Sequence, residues 1–227
     1  MKKWYAKSKH SGRDQVEVKE HLRAVGALSK AFGSSLGMEK EAEMAGAVHD
    51  AGKFTDKFQD VLRGKASRVD HARASAAFLY WWLIETSKYA GKETDERIST
   101  EFANTNYAPI LEAINAHHGM LLCYDELKHS LCNCMTTQNW LEGNDGKEVA
   151  LTGKENYRAL HDIFHGELPE CKRIGLKSLK LRDEERMLWS RLLLSCLVDA
   201  DYTASAEEEG EAIPEPPNVM QKNGWCD

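Results

Sequence analysis

The feature that most restricts the fold is the stretch Gly46-Ala47-Val48-His49-Asp50-Ala51-Gly52-Lys53. An imidazole and a carboxylate are neighbours here, preceded by small apolar residues and followed by a glycine suited to ending a helix and by a lysine. Helical neighbours diverge by roughly 100° around the axis. Both side chains therefore reach one small target only if it is a metal ion or metal pair lying across the helix end; the alternative is a solvated cap. Further candidate ligands recur far along the chain: His21, His71, the pair His117-His118, and the acids Asp199 and Asp201. If they share one site, segments from residue 21 to residue 201 must converge, and the 227 residues form one domain rather than two small ones.

Each candidate lies on or beside a segment of helical character. Val16, Leu22, Val25, Leu28 and Phe32 predict an amphipathic helix ending near Gly33, with His21 on the border of its apolar face. Met38 to Val48 predicts a second helix; its Ala42, Ala45, Gly46 and Ala47 permit close approach, and it delivers His49-Asp50 to its end. Ala72 to Trp82 predicts a helix behind Asp70-His71, where His71 either flanks the helix start or joins a metal site. Tyr107 to Ala116 predicts another, with Pro109 in its first turn, ending in His117-His118-Gly119. Packing does not require two histidines in that place. From Glu184, the residues Leu188, Trp189, Leu192, Leu193, Cys196, Leu197 and Ala200 predict the most apolar helix, central to the core. An unpaired acid on such a helix is costly, so Asp199 or Asp201 should face the metals. No alternating strand pattern of useful length is present. The expected fold class is all-α, a helical bundle with the metal site in its core.

Other stretches carry less. Residues 4 to 13 read as an irregular lead-in with His10 in an exposed loop, and residues 85 to 105 as a loop plus a charged turn. Between 120 and 180 the turns at Asn144-Asp145-Gly146 and Gly153 stand out, and His129, His161 and His165 read as surface residues. Lys172, Arg173, Lys177, Lys180 and Arg182 read as a solvated face interleaved with Ile174, Leu176, Leu179 and Leu181; the alternative is a DNA-facing patch. The six cysteines lack paired zinc spacing, so a zinc site on Cys132 and Cys134 is not expected and the thiols should stay reduced. Residues 206–227, with Glu207-Glu208-Glu209-Gly210-Glu211 and Pro214-Glu215-Pro216-Pro217, read as an acidic, proline-rich linker or tail. With no run of ~18 apolar residues and no apolar signal segment, the expectation is a cytoplasmic protein that does not enter a membrane.

The order His, His-Asp, His, His-His, Asp, with His-Asp continuing as HDxGK, resembles the HD superfamily of metal-dependent phosphohydrolases. More narrowly it resembles the HD nuclease domain of the CRISPR-associated protein Cas3, over about residues 4 to 205. The resemblance implies an HD nuclease domain over 1–205. Cas3-type domains carry a histidine early in the first helix, comparable to His21, and one comparable to His71 that joins a second metal. A His-His pair like His117-His118 completes that second position, which simpler HD enzymes lack. Ala200-Asp201-Tyr202 followed by Thr203-Ala204-Ser205 resembles the family's Ala-Asp-aromatic-x-x-Ser ending, which favours Asp201, with Asp199 as the substitute. One ion is then expected on His21, His49, Asp50 and Asp201, and a second on His71, His117 and His118, with Asp50 bridging. Asp50 and Lys53 are the expected catalytic residues. In HDxGK the point charge of Lys53 can hold a non-bridging phosphate oxygen, while Phe54 and Phe58 pack beneath the site.

Mixed histidine and carboxylate ligands suit Mn²⁺, Co²⁺, Ni²⁺ or Fe²⁺ better than a magnesium cage of oxygens, with Mg²⁺ still open. Metal pairs roughly 3.5–4 Å apart stabilise the attacking and leaving oxygens of a phosphodiester. No serine or cysteine nucleophile is needed for such metal-assisted hydrolysis. The substrate implied by the resemblance is single-stranded DNA, cut endo- or exonucleolytically after the crRNA-guided Cascade complex opens the duplex and a helicase exposes a strand. That helicase is either a Cas3 helicase domain in a longer chain or a separate subunit; no Walker-type loop lies within these residues. A net charge of −6 argues against a free-standing nucleic-acid binder. Two divalent ions would add roughly four positive charges where they matter, and most of the grip on DNA is expected from another domain or subunit. Two rival readings are an HD phosphohydrolase acting on nucleotides or cyclic dinucleotides and a non-catalytic module with a decayed site. The presence of all seven candidate ligands argues against the second.

Overall fold

The computed structural model describes residues 2–8, 14–67, 69–86, 102–136 and 153–210. Eight α-helices appear among them: α1 (Val18–Ser34), α2 (Glu39–Val48), α3 (Asp56–Leu62), α4 (His71–Glu85), α5 (Tyr107–Ala116), α6 (Tyr124–Thr136), α7 (Gly153–Glu167) and α8 (Asp183–Glu208). Short 3₁₀ turns occupy Ala51–Lys53 and Pro169–Arg173. No strand forms among the described residues; pairing is limited to isolated bridges between Tyr5 and Glu17 and between Thr105 and Lys180. The all-α bundle expected from the periodicity is the observed architecture. No described helix is long and apolar enough to cross a membrane.

Small residues set the tightest contact. α1 and α2 pack against each other at Gly26 and Gly46, where a Cβ on Gly46 would lie 2.7 Å from both Ser29 Oγ and the Val25 carbonyl. α8 covers α1, α2 and α5, and α5 in turn packs on α2 and α4. α4 is nearly all buried because aromatics fill the space between it and α7: Phe78, Trp81 and Trp82 meet Phe164 and Tyr157. Asn106, fully buried, ties three segments together. Its amide donates to Glu41 Oε1 (2.7 Å) and the Lys177 carbonyl (3.1 Å), and its oxygen accepts from the Leu179 amide (3.0 Å).

Several expectations change. The lead-in is packed: Ala6 N–H donates to Val16 O at 2.9 Å, Val18 N–H to Trp4 O at 2.8 Å, and Trp4 and Ala6 are buried. His10 lies outside the described residues, as does most of the stretch from 85 to 105. The uninformative region holds α6 and α7, and His165 is not a surface residue. It lies on the α7 face pressed against α4, buried, with its ring 4.6 Å from that of Trp82, while His161 is half-buried and His129 exposed. Lys172, Arg173, Lys177, Lys180 and Arg182 are exposed, and Ile174 and Leu176 pack against the core beneath them. The first turns of α8 are less central than its composition implies: Leu188 is 56% exposed, and the buried face starts at Ser190. α8 also runs on to Glu208, past residue 205; residues 211–227 of the expected tail lie outside the described residues, as do the side chains of Cys132 and Cys134.

Candidate metal centre

Helix ends bring the candidate ligands to one end of the bundle. His21 is in the first turn of α1, His49 caps the C-terminus of α2, and Asp50 opens the following 3₁₀ turn. His71 is the first residue of α4, held there by Asp70, whose side chain accepts the Arg73 amide hydrogen at 3.0 Å. His117 caps α5 with His118 next, and Asp201 projects from α8. Two groups of ligand atoms result, one of Asp50, His71, His117 and His118, the other of His21, His49 and Asp201.

Asp50 lies between them. Its Oδ2 is 3.3 Å from His49 Nε2 and 3.5 Å from His21 Nε2; its Oδ1 is 3.2 Å from His71 Nε2 and 3.6 Å from His117 Nε2. Asp201 Oδ1 is 3.1 Å from His21 Nε2 and 3.8 Å from His49 Nε2, whereas Asp199 is exposed. The far side of two of the rings is anchored: His49 Nδ1 bonds the Gly46 carbonyl (2.8 Å) and His117 Nδ1 the Ile114 carbonyl (2.6 Å). With Nδ1 used up, Nε2 faces the cluster. Lys53 Nζ reaches Asp50 Oδ2 at 2.6 Å and lies 5.4 Å from the centre of the Phe58 ring.

Charge is concentrated in this buried space. Burial opposes ionisation of Asp50, but Lys53 and the surrounding histidines hold its carboxyl well below the usual range. Asp201 is likewise lowered, its partial burial outweighed by His21 and His49. Burial alone would depress His21, yet Asp201, Asp50 and Glu208 raise it to about 10. His118, exposed at the rim, is lowered to about 4 by the loss of solvent on one side and by the neighbouring His117 and His71.

The donor set fits a divalent metal. His21 Nε2, His49 Nε2, His117 Nε2, both nitrogens of His71 and Asp50 Oδ1 are buried without a completed hydrogen bond. Each such group ordinarily costs about 1–3 kcal/mol, and here they converge on a common space. Imidazoles and carboxylates together are the donors borderline transition metals prefer.

The family model described as "Cas3, HD domain" matches residues 15–209. The chain belongs to the Cas3 HD domain family. No curated protein and no solved structure matches it significantly. As a Cas3 HD domain, the chain is a metal-dependent HD hydrolase of the nuclease type, and its His/Asp groups are candidates for holding the metal.

Two residues act differently from their reading in the sequence. Gly52 does not end the helix with a left-handed turn, since its φ is not positive. It lets the 3₁₀ turn touch the start of α4: an added Cβ would lie 2.6 Å from the His71 carbonyl oxygen and 3.1 Å from Ala74 Cβ. Ser75 locks the contact, its Oγ accepting from the Gly52 amide (2.9 Å) and donating to the His71 carbonyl (2.8 Å). Gly52→Ala is therefore expected to destabilise the Cas3 HD domain by about 1–3 kcal/mol through overpacking and to weaken metal binding by moving His71 away from Asp50. Urea unfolding and metal titration check this; wild-type values in both would show that the contact is slack. The second is Glu208, assigned to the acidic tail by sequence, which forms a 2.8 Å hydrogen bond with His21 Nδ1. Its only signal was a position seven residues after Asp201, two helical turns along the same face.

A cleft of about 400 Å³ adjoins the centre, lined by Lys7, His118, Asp201, Tyr202, Ser205, Ala206 and Glu209. Tyr202 is 73% exposed beside it.

Proposed function

We propose that this Cas3 HD domain hydrolyses phosphodiester bonds of single-stranded DNA with two divalent ions, one on His21, His49, Asp50 and Asp201 and one on His71, His117 and His118, Asp50 being shared. The observation that carries the proposal is the convergence of unpartnered imidazole nitrogens from His21, His49, His71 and His117 on the two oxygens of Asp50. When bound, such ions supply Lewis acidity toward water and the scissile phosphate. The protein holds the ligands rigidly: His49 and His117 are fixed by backbone carbonyls of their own helices, and His71 by the Asp70 cap. Lys53 balances Asp50, and its ammonium has further donors with which to hold a non-bridging phosphate oxygen.

A polynucleotide is favoured over a small nucleotide by the cleft and by Tyr202. The cleft leads from Asp201 and His118 past this exposed ring, and every base has a π-face that can stack on such a ring. The reading places the domain in the cytoplasm in type I CRISPR interference, served by a helicase and the Cascade complex.

The test uses metal-stripped protein given Mn²⁺, Ni²⁺, Co²⁺ or Mg²⁺ separately, with labelled circular single-stranded DNA and a cyclic dinucleotide as rival substrates. Metal-dependent nicking of the circle, strongest with a transition metal, is the expected result. Turnover of the cyclic dinucleotide with the circle intact would refute the DNA reading.

A further inference from the structure

His21 is held differently from the other histidines of the centre. His49 and His117 direct Nδ1 at backbone carbonyls three residues earlier, at 2.8 Å and 2.6 Å. His21 lies in the first turn of α1, whereas His49 and His117 are C-caps, where the last carbonyls of a helix lack N–H partners within it. Its Nδ1 instead meets a carboxylate oxygen of Glu208, 187 residues away, at 2.8 Å. Glu208 is the last residue of α8. Its other oxygen, Oε2, lies 3.2 Å from Lys7 Nζ, and Lys7 also reaches Glu209 at 3.3 Å. Lys7 itself follows the buried strap of Trp4 and Ala6, which is fastened by the Ala6–Val16 hydrogen bond and by Gln59, whose side chain bonds both the amide and the carbonyl of Tyr5.

We propose that Glu208 is a positioning residue for the metal centre: accepting the Nδ1–H of His21, it turns Nε2 toward Asp50 and Asp201, while Lys7 keeps the carboxylate in place. The inference rests on the metal reading above but not on the identity of the substrate. A carboxylate behind a ligating imidazole fixes the tautomer and raises ligand basicity, and losing such a partner typically lowers metal affinity 10- to 100-fold. It also gives the C-terminus of α8 a function that its acidic composition conceals. The effect falls on one half of the centre, because Glu208 touches His21 and not His71, His117 or His118.

The test is titration of metal-stripped full chain with Mn²⁺ alone, following free Mn²⁺ by electron paramagnetic resonance, in wild type, Glu208→Ala and Glu208→Gln. Thermal unfolding of the metal-free proteins shows whether each variant folds. Glu208→Ala is expected to weaken one of the two Mn²⁺ sites by roughly 10- to 100-fold and to leave the other within about threefold. Glu208→Gln should recover most of that loss, since an amide oxygen can accept the same Nδ1–H. A merely structural residue would weaken both sites together and would not be rescued by glutamine. Wild-type affinity in a folded Glu208→Ala would overturn the role of Glu208 while leaving the metal reading intact. Wild-type protein that binds no Mn²⁺ would overturn both.

Discussion

Asp50→Ala is expected to lower metal-dependent hydrolysis by at least ~10³-fold, the upper range for removing a preorganised electrostatic stabiliser, and to weaken divalent-ion binding in both halves of the centre. The reason is geometric. Asp50 sends one oxygen toward His21 and His49 and the other toward His71 and His117, all within 3.2–3.6 Å. Removing it also leaves the buried Lys53 ammonium without its 2.6 Å partner. An uncompensated buried charge is destabilising in its own right, so part of the loss in the alanine variant would come from unfolding. Asp50→Asn reduces the structural part of the loss, since it keeps the volume and one acceptor oxygen for Lys53 while removing the charge, and a metal-free unfolding curve shows how much protein is folded. Folded Asp50→Asn protein should have lost the activity; if it cleaves at the wild-type rate, Asp50 does not organise the chemistry.

The second large effect lies in the core. Phe78 is fully buried on α4, its ring near-parallel to those of Trp81 and Trp82 and 5.3 Å from that of Phe164 on α7. Phe78→Ala should cost about 3–5 kcal/mol, from lost transfer free energy and from the cavity left among rings that cannot collapse into it. That is a large share of the 5–15 kcal/mol that typically holds a domain together. α4 carries His71 at its first residue, so loosening the helix should also weaken metal binding. Urea unfolding measures the effect as a lower midpoint at unchanged slope. A change below ~1 kcal/mol would mean that α7 shifts to refill the space.

The parts of this domain that were legible in the sequence share a physical basis. His49-Asp50 and His117-His118 stand where apolar periodicity stops, and their helices end there as the periodicity requires. The glycine and alanines of α2 signalled close packing, and Gly46 is pressed against Ser29 and the Val25 carbonyl. The parts that were hidden depend on contacts between distant segments. Nothing in the local sequence of Glu207-Glu208-Glu209 separates one acid that meets His21 from a solvated run. The lead-in around Trp4 has no periodicity, because its order comes from pairing with residues 16–18 and from Gln59. α7 did carry a pattern, with Tyr157, Leu160 and Phe164 buried and Leu168 buried just past its end, but its intervening histidines and charges masked it. His165 was misread for that reason: a histidine judged by polar neighbours looks exposed, whereas the face it shares with Trp82 is apolar. Gly52 shows the opposite error, a glycine attributed to a helix end when the demand for it comes from the backbone of α4.

Anomalous diffraction from crystals of the metal-stripped protein soaked in Mn²⁺ decides whether two ions sit on Asp50. A two-ion centre predicts two peaks, one among His21, His49 and Asp201 and one among His71, His117 and His118, both in contact with Asp50. Peaks elsewhere, or none in that cluster, would contradict it.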